Sequence, residues 1–312
     1  MLICAGLPAG PEEAEALRLY EQDPPGMVLL FGHNIRSETQ ARSLCRDIHA
    51  LPDRPLVAID LEGGRVNRLK ALWGDLPAAS VYGHWPLRKI ESMALEWGHG
   101  LKALGVDVDF APVVDLGPAA PGTGLEGRTL GETPEDVLAR ARAFMRGLHA
   151  AGILSCIKHH PGLGASTLDS HKDLPRMDLS LKKMRAHLKP FSVLKREAPM
   201  VMVAHGVYPR LDPSEIPSSF SAPIIGLLKK RPAFRGLILS DDLEMGALRR
   251  FGSLARRAGL ALKAGCHMVI ISHEWREVPT IAGRLGREQH AELFLRVCRW
   301  RSVPVSAWNA QA

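Results

Sequence analysis

Eight short apolar runs, many of them rich in β-branched residues, recur along this chain with a helix-patterned segment after each. The runs are Leu2–Ala5, Met27–Phe31, Leu56–Asp60, Val106–Ala111, Ile153–Lys158, Met200–Ala204, Gly236–Ser240 and Met268–Ser272. Runs that are apolar almost throughout suit strands covered on both faces, the condition of a parallel sheet. The helical segments are Pro11–Glu21, Glu38–Ala50, Leu87–Leu104, Pro134–Ala151, Ser180–Lys195, Ala222–Lys230, Leu254–Ala264 and Val278–Trp300. Thr133-Pro134-Glu135-Asp136 reads as an N-cap, an N1 proline and first-turn acids, and Gly152 and Gly265 fall where helices end. Eight such pairs are the count of an α/β (β/α)8 TIM-type barrel. A doubly wound open sheet uses the same alternation and is the competing architecture. No repeat, low-complexity tract or linker interrupts residues 1–312, so one domain is expected.

The polar residues at the ends of the runs favour the barrel. Asp60 ends the third run, Lys158 and His159 the fifth, His205 the sixth, Asp241 the seventh, and Ser272 with His273 the eighth. A barrel brings all these strand ends to one rim, where such enzymes carry their active sites. For Ser272 and His273, a plain exit of the strand to solvent accounts equally well for the sequence.

The segment 153–175, ILSCIKHHPGLGASTLDSHKDLP, concentrates this chemistry. Its apolar start delivers a cation and an imidazole to a strand end, and Pro161-Gly162 stops any helix from following directly. The loop beyond carries Asp169 and His171, and a carboxylate two residues before an imidazole can orient it and favour its protonated form. Gly162 and Gly164 are expected to let this loop move. Gly63-Gly64 permits a tight turn that would bring Arg65 and Arg68 to the rim, and Arg128 sits in a Pro/Gly-rich loop after the fourth run. Guanidinium forks suit carboxylates and paired hydroxyls. The same arginines could instead be structural partners of Asp60, Glu62 or Glu126.

Composition bounds the partners. The formal charge of +7 is scattered over sites such as Lys182-Lys183, Lys229-Lys230-Arg231 and Arg249-Arg250. With aromatics at only 5%, no basic–aromatic strip for nucleic acid is present, so no nucleic-acid partner is expected. The five cysteines, Cys4, Cys45, Cys156, Cys266 and Cys298, are widely spaced without a CxxC, as expected of buried free thiols in a reducing compartment. No secretory leader and no bilayer-length apolar run is visible, which makes a cytoplasmic protein without a membrane partner the expectation.

Seven segments together resemble glycoside hydrolase family 3: VLLFGHNI (28–35), LVAIDLEGGRVNRL (56–69), GVDVDFAPVVDLG (105–117), CIKHHPGLG (156–164), DSHKDLP (169–175), VMVAHGVYP (201–209) and GLILSDDLEMGAL (236–248). They are most similar to its single-domain bacterial branch, the β-N-acetylglucosaminidases of cell-wall recycling. The resemblance implies a retaining enzyme with Asp241 as nucleophile, His171 as general acid/base and Asp169 as the partner of His171. It also implies that Asp60, Arg68, Arg128, Lys158 and His159 hold the terminal sugar of a small carbohydrate or muropeptide substrate, with no metal or other cofactor, in a monomer or weak homodimer. Three positions depart from the family pattern: Leu163 stands for a common His, His160 for a common Phe, and His267 for a usual acid.

Retaining hydrolysis needs one group to attack the anomeric carbon and another to protonate the departing oxygen. An imidazole with an ordinary pKa near 6.5 can serve both halves of such a cycle. The alternatives within the family are a β-glucosidase, a phosphorolytic relative or a sugar-binding protein without catalysis. Outside it stand a metal-dependent barrel hydrolase using His159, His171, His205 and Asp241, and a Schiff-base lyase using Lys158.

Overall fold

The computed structural model describes residues 3–285. Eight parallel strands close into a barrel: Ile3–Gly6, Met27–Leu30, Leu56–Ile59, Val108–Asp109, Leu154–His160, Met200–Val203, Leu237–Asp242 and Met268–Ile271. They pair in chain order, and the eighth returns to the first with Ile3 opposite Val269. A closed ring has no edge strand, so the open-sheet alternative does not hold.

The apolar runs work because alternate residues meet two different apolar environments. Met27 and Leu29 of the second strand, Leu56 and Ala58 of the third, and Leu237 and Leu239 of the seventh fill the barrel interior. Between them Val28, Leu30, Val57, Ile59 and Ile238 turn outward and pack in the shell formed with the helices. The helices are Glu12–Gln22, Glu38–Ala50, Leu87–Leu104, Pro134–Ala150, Leu181–Leu194, Ala222–Lys229, Leu254–Ala264 and Val278–Leu285. The last segment expected, Val278–Trp300, continues outside the described residues, as does Cys298.

Local chemistry sets several helix starts. The side chains of Ser37, Thr133, Ser180, Ser221 and Ser253 each accept a backbone N–H from the first turn, worth about 1 kcal/mol apiece. Gly265 ends the seventh helix in the left-handed conformation, at φ 116°. Cys4, Cys45, Cys156 and Cys266 are buried free thiols, and the Lys182-Lys183 and Arg249-Arg250 pairs are exposed. Among the described residues no helix is long and apolar enough to cross a membrane.

The long loop after the third strand has more structure than its sequence announces. Leu61–Gly63 and Val66–Asn67 form a small antiparallel hairpin, followed by helical turns at Lys70–Trp73 and Ala79–Tyr82. These pieces are too short to carry a periodic signal. Positive φ values at Gly63 and Gly64, 81° and 57°, make the turn and present Arg65 at its tip.

Candidate active site

A cavity of about 500 Å³ opens at the C-terminal end of the barrel. Asp60, Arg68, Arg128, Lys158, His159, His171 and Asp241 all line it. Asp169 stands behind His171 and accepts a 2.8 Å hydrogen bond from its Nδ1. The residues singled out from sequence thus meet at one site, although the third, fifth and seventh strands and three loops supply them.

Its floor is an ion-pair network. Lys158 Nζ lies 2.7 Å from Asp60 Oδ1 and 2.6 Å from Glu62 Oε1. Arg128 grips the same Glu62 through two parallel bonds, Nε–Oε2 at 2.7 Å and Nη2–Oε1 at 2.8 Å, and its third nitrogen donates to the Gly124 carbonyl. Arg68 stands 3.9 Å from Asp60 Oδ2, at the open end of the network. Burial alone would raise the Glu62 carboxyl, but Arg128 and Lys158 hold it well below the usual range. For Lys158, burial works against the ammonium and is outweighed by Asp60 and Glu62, which raise its pKa. Glu62 was foreseen only as an optional partner of an arginine, yet two cations share it. Sequence alone gives no sign that a buried acid follows the strand-end acid by two residues.

His159 is fixed by an acid that sequence reasoning passed over. Its ring Nδ1 donates to Asp115 Oδ2 at 2.7 Å, its backbone N–H donates to the same oxygen, and Asp115 Oδ1 accepts the Leu163 amide at 2.6 Å. Asp115 therefore welds the loop after the fourth strand to the loop after the fifth. The glycines of that second loop answer first to close packing. A side chain at Gly164 would begin 1.8 Å from the Leu116 carbonyl oxygen.

Asp241 and its neighbour Asp242 occupy different electrostatic settings. Burial raises the Asp241 pKa, but His159, then His205, the Asp242 N–H and His171 together hold it below the ordinary value. Burial and the nearby Glu244 push Asp242 up to about 7. Adjacent carboxyls driven apart in this way can take different roles. The first stays an anion at neutral pH, while the second holds its proton to a much higher pH than an ordinary aspartate.

The His171 loop docks on the chain that follows Asp241. The Gly246 and Ala247 amides donate to the His171 and Ser170 carbonyls, at 3.1 and 3.3 Å. The imidazole stays exposed, with 62% of its side chain accessible, and its Nδ1 is committed to Asp169. That leaves Nε2 as the nitrogen able to exchange a proton with a molecule in the cavity.

The departures from the family pattern are accommodated. His160 is buried with Nε2 on the Ile224 carbonyl at 3.1 Å and its ring edge-on to Phe191. His267 accepts the Ile238 amide through Nδ1 at 3.0 Å. Leu163 is buried against Val113, Leu125 and Ala204. Ser272 and His273, for which a solvent exit sufficed in the sequence, both line the cavity.

The glycosyl hydrolase family 3 N-terminal domain model matches residues 11–290. A β-hexosaminidase of Alkalilimnicola ehrlichii is 38% identical over 271 residues, 83% of this chain and 77% of that protein. A β-hexosaminidase of Pseudomonas aeruginosa is 35% identical over 267 residues, 84% of this chain and 79% of its own. Among solved structures, NagZ from Neisseria gonorrhoeae in complex with N-trifluoroacetyl-D-glucosamine superposes with a TM-score of 0.85 at 31% identity, covering 99% of this chain and 92% of that one. A family 3 β-N-acetylglucosaminidase from Paenibacillus superposes with a TM-score of 0.87 at 27% identity, over 98% of this chain and 62% of that one. With its barrel, its rim of paired acids and cations, and these matches over most of its length, the chain belongs to glycosyl hydrolase family 3.

Proposed function

We propose that this protein is a retaining exo-β-N-acetylglucosaminidase that removes terminal β-linked N-acetylglucosamine. The observation that carries the reading is the cavity shared by Asp241 on the seventh strand and His171 on the loop after the fifth, with Asp169 behind the His171 ring. In this reading Asp241, kept ionised by His159 and His205, attacks the anomeric carbon. His171 protonates the leaving oxygen and then takes a proton from the incoming water, with Asp169 holding its ring. Asp60, Arg68, Lys158 and His159 bind the sugar hydroxyls. Arg128 belongs to the same set, with most of its fork already spent on Glu62 and Gly124. The names of the relatives support the hexosaminidase reading. Muropeptides as the source of the sugar, and the cytoplasm as the place, rest on the resemblance to the recycling branch.

Two of the alternatives meet specific obstacles. His205, a ligand in the metal reading, uses Nδ1 on Ser219 Oγ and Nε2 on the Asp242 carbonyl, both at 2.8 Å. Lys158, the amine of a Schiff-base reading, is held as an ammonium by two carboxylates and lacks the free lone pair that attack requires.

The test is hydrolysis of nitrophenyl β-N-acetylglucosaminide beside the β-glucoside, each with and without phosphate. Cleavage of the first alone, unaffected by phosphate and abolished by Asp241→Asn while the sugar still binds, is the expected result. Acceleration by phosphate would identify a phosphorylase instead. Preference for the glucoside would identify a glucosidase.

A further inference from the structure

Resting on that reading, we propose that Gly246 is a positioning residue: its bare backbone is the bed on which the His171 loop lies, and this bed sets the distance of the imidazole from Asp241. The imidazole does little to hold itself, since 62% of its side chain is accessible and its Nδ1 is taken by Asp169 of the same loop. The place of the pair is therefore set by the main chain around it. On one side the Gly246 and Ala247 amides donate to the His171 and Ser170 carbonyls. At the same contact Leu174 of the loop packs with Val207 and Ala247 in a buried apolar cluster. On the other side stands Gly124, where a Cβ would lie 2.9 Å from the Asp169 oxygen that holds His171. The Gly124 carbonyl is itself tied down by Arg65 and Arg128. The pair thus sits in a slot between two glycines, one in the loop after the fourth strand and one in the chain after the seventh.

The Gly246 side of the slot is the one tied to the nucleophile. The turn from Asp241 to Gly246 is closed by its own bonds. The Asp242 amide donates to Asp241 Oδ1 at 2.8 Å, the Glu244 amide to Asp242 Oδ1 at 3.0 Å, and the Met245 amide to the Asp242 carbonyl at 3.2 Å. His205 grips that carbonyl as well. Nucleophile and bed therefore form one bonded unit, and the loop that lies on it inherits a fixed distance to Asp241. A Cβ at Gly246 would lie 2.6 Å from both the His171 and the Lys172 carbonyl oxygens. Neither belongs to a side chain that can swing away, so the loop would have to lift. A misplacement of roughly 1 Å at a catalytic group can cost on the order of 10²-fold. Gly246 lies outside the left-handed region that Gly124 occupies at φ 80°, so alanine suits its backbone and only the loop stands in the way.

The experiment measures kcat/KM on methyl and nitrophenyl β-N-acetylglucosaminides for wild type, Gly246→Ala, His171→Ala and the double variant. A lifted loop withdraws the proton donor and spares Asp241. Gly246→Ala is therefore expected to lose roughly ten- to a hundredfold on the methyl glycoside, whose alkoxide needs a proton, and less than about threefold on the nitrophenyl one. Retained nitrophenyl cleavage also shows that the variant folds. In the His171→Ala background no imidazole remains to displace, so adding Gly246→Ala should change neither value by more than about twofold. Equal losses on the two glycosides, no loss on either, or a further loss of about tenfold in the His171→Ala background would overturn this role for Gly246. Failure of His171→Ala itself to distinguish the two glycosides would instead remove the acid/base reading beneath it, and the bed with it.

Discussion

Asp115 holds His159 by a 2.7 Å bond to the ring Nδ1 while its other oxygen takes the Leu163 amide at 2.6 Å. One buried carboxylate thus sets the tautomer of a proposed sugar-binding imidazole and the path of the loop that leads to His171. It also commits Nδ1 of His159 to Asp115, so that Nε2 is the ring nitrogen left for the cavity. Asp115→Asn offers either an amide oxygen or an amide nitrogen at each contact and cannot serve both donors as an anion does. Turnover of a nitrophenyl glycoside is expected to fall roughly ten- to a hundredfold in Asp115→Asn, with circular dichroism unchanged. Full activity in that variant would show that His159 needs no such support.

Glu62 is the shared anion of two buried cations, and it makes a prediction about stability. Glu62→Gln leaves Lys158 and Arg128 with one carboxylate, Asp60, between them. Removing one member of a buried network of charges costs about 3–5 kcal/mol, read as a lower urea midpoint at neutral pH. The sign of the pH dependence follows from the depressed carboxyl. Its stabilisation is complete above the ordinary glutamate pKa of about 4.3 and is lost only as pH falls below it, through the folded value. The difference between wild type and Glu62→Gln should therefore hold from neutral pH down to about 5 and shrink below about 4. A difference already gone at pH 6 would contradict the network.

Most of the barrel was legible because each strand is apolar on both faces and each helix is long enough to show its period. The first strand ends at Gly6, one residue beyond the Leu2–Ala5 run, whose Leu2 lies outside the described residues. What stayed hidden is pairing across long separations. That Asp115 meets His159 depends on two loops, 44 residues apart, folding against each other. That Glu62 is buried depends on a hairpin too short to signal itself. His273 looked like a strand leaving for solvent because nothing in its own neighbourhood mentions Phe31, on which its imidazole stacks. The proposed roles of Asp241, His171 and Asp169 came from motif resemblance alone, since no periodicity distinguishes a strand-end acid with a chemical role from one that merely meets water.

His160 marks a trade between packing and pH tolerance. Burial pushes its pKa down to about 4, and its Nδ1 finds no partner. An imidazole with a folded pKa below its unfolded one resists a proton that the unfolded chain accepts. Stability from keeping it neutral is complete above about pH 6.5 and is lost as pH falls from there toward about 4. His160→Phe removes this proton linkage and the orphaned nitrogen, and its ring can still pack edge-on to Phe191. The variant should give up one hydrogen bond to Ile224 yet unfold at a flatter midpoint between pH 6.5 and 4 than the wild type. Parallel pH curves for the two proteins would mean that His160 does not titrate on unfolding.

The proton inventory at His171 predicts a dependence on the leaving group. An alkyl alcohol leaves poorly as an anion and needs a proton in the transition state, whereas a nitrophenolate leaves without one. His171→Ala should therefore cost roughly 10²- to 10⁴-fold on an alkyl N-acetylglucosaminide and distinctly less on the nitrophenyl one, at the step where the glycosidic bond breaks. Asp169→Asn should show the same ordering with smaller losses. Asp169 touches the ring and not the cavity, and removing its charge leaves the imidazole in place but less firmly oriented. The second half of the cycle gives an independent check, because a nucleophile such as azide needs no general base. Azide added to His171→Ala with the nitrophenyl substrate should raise turnover and yield a glycosyl azide. Equal losses on alkyl and aryl glycosides, with no response to azide, would remove His171 from proton transfer and leave Asp241 in need of a different partner.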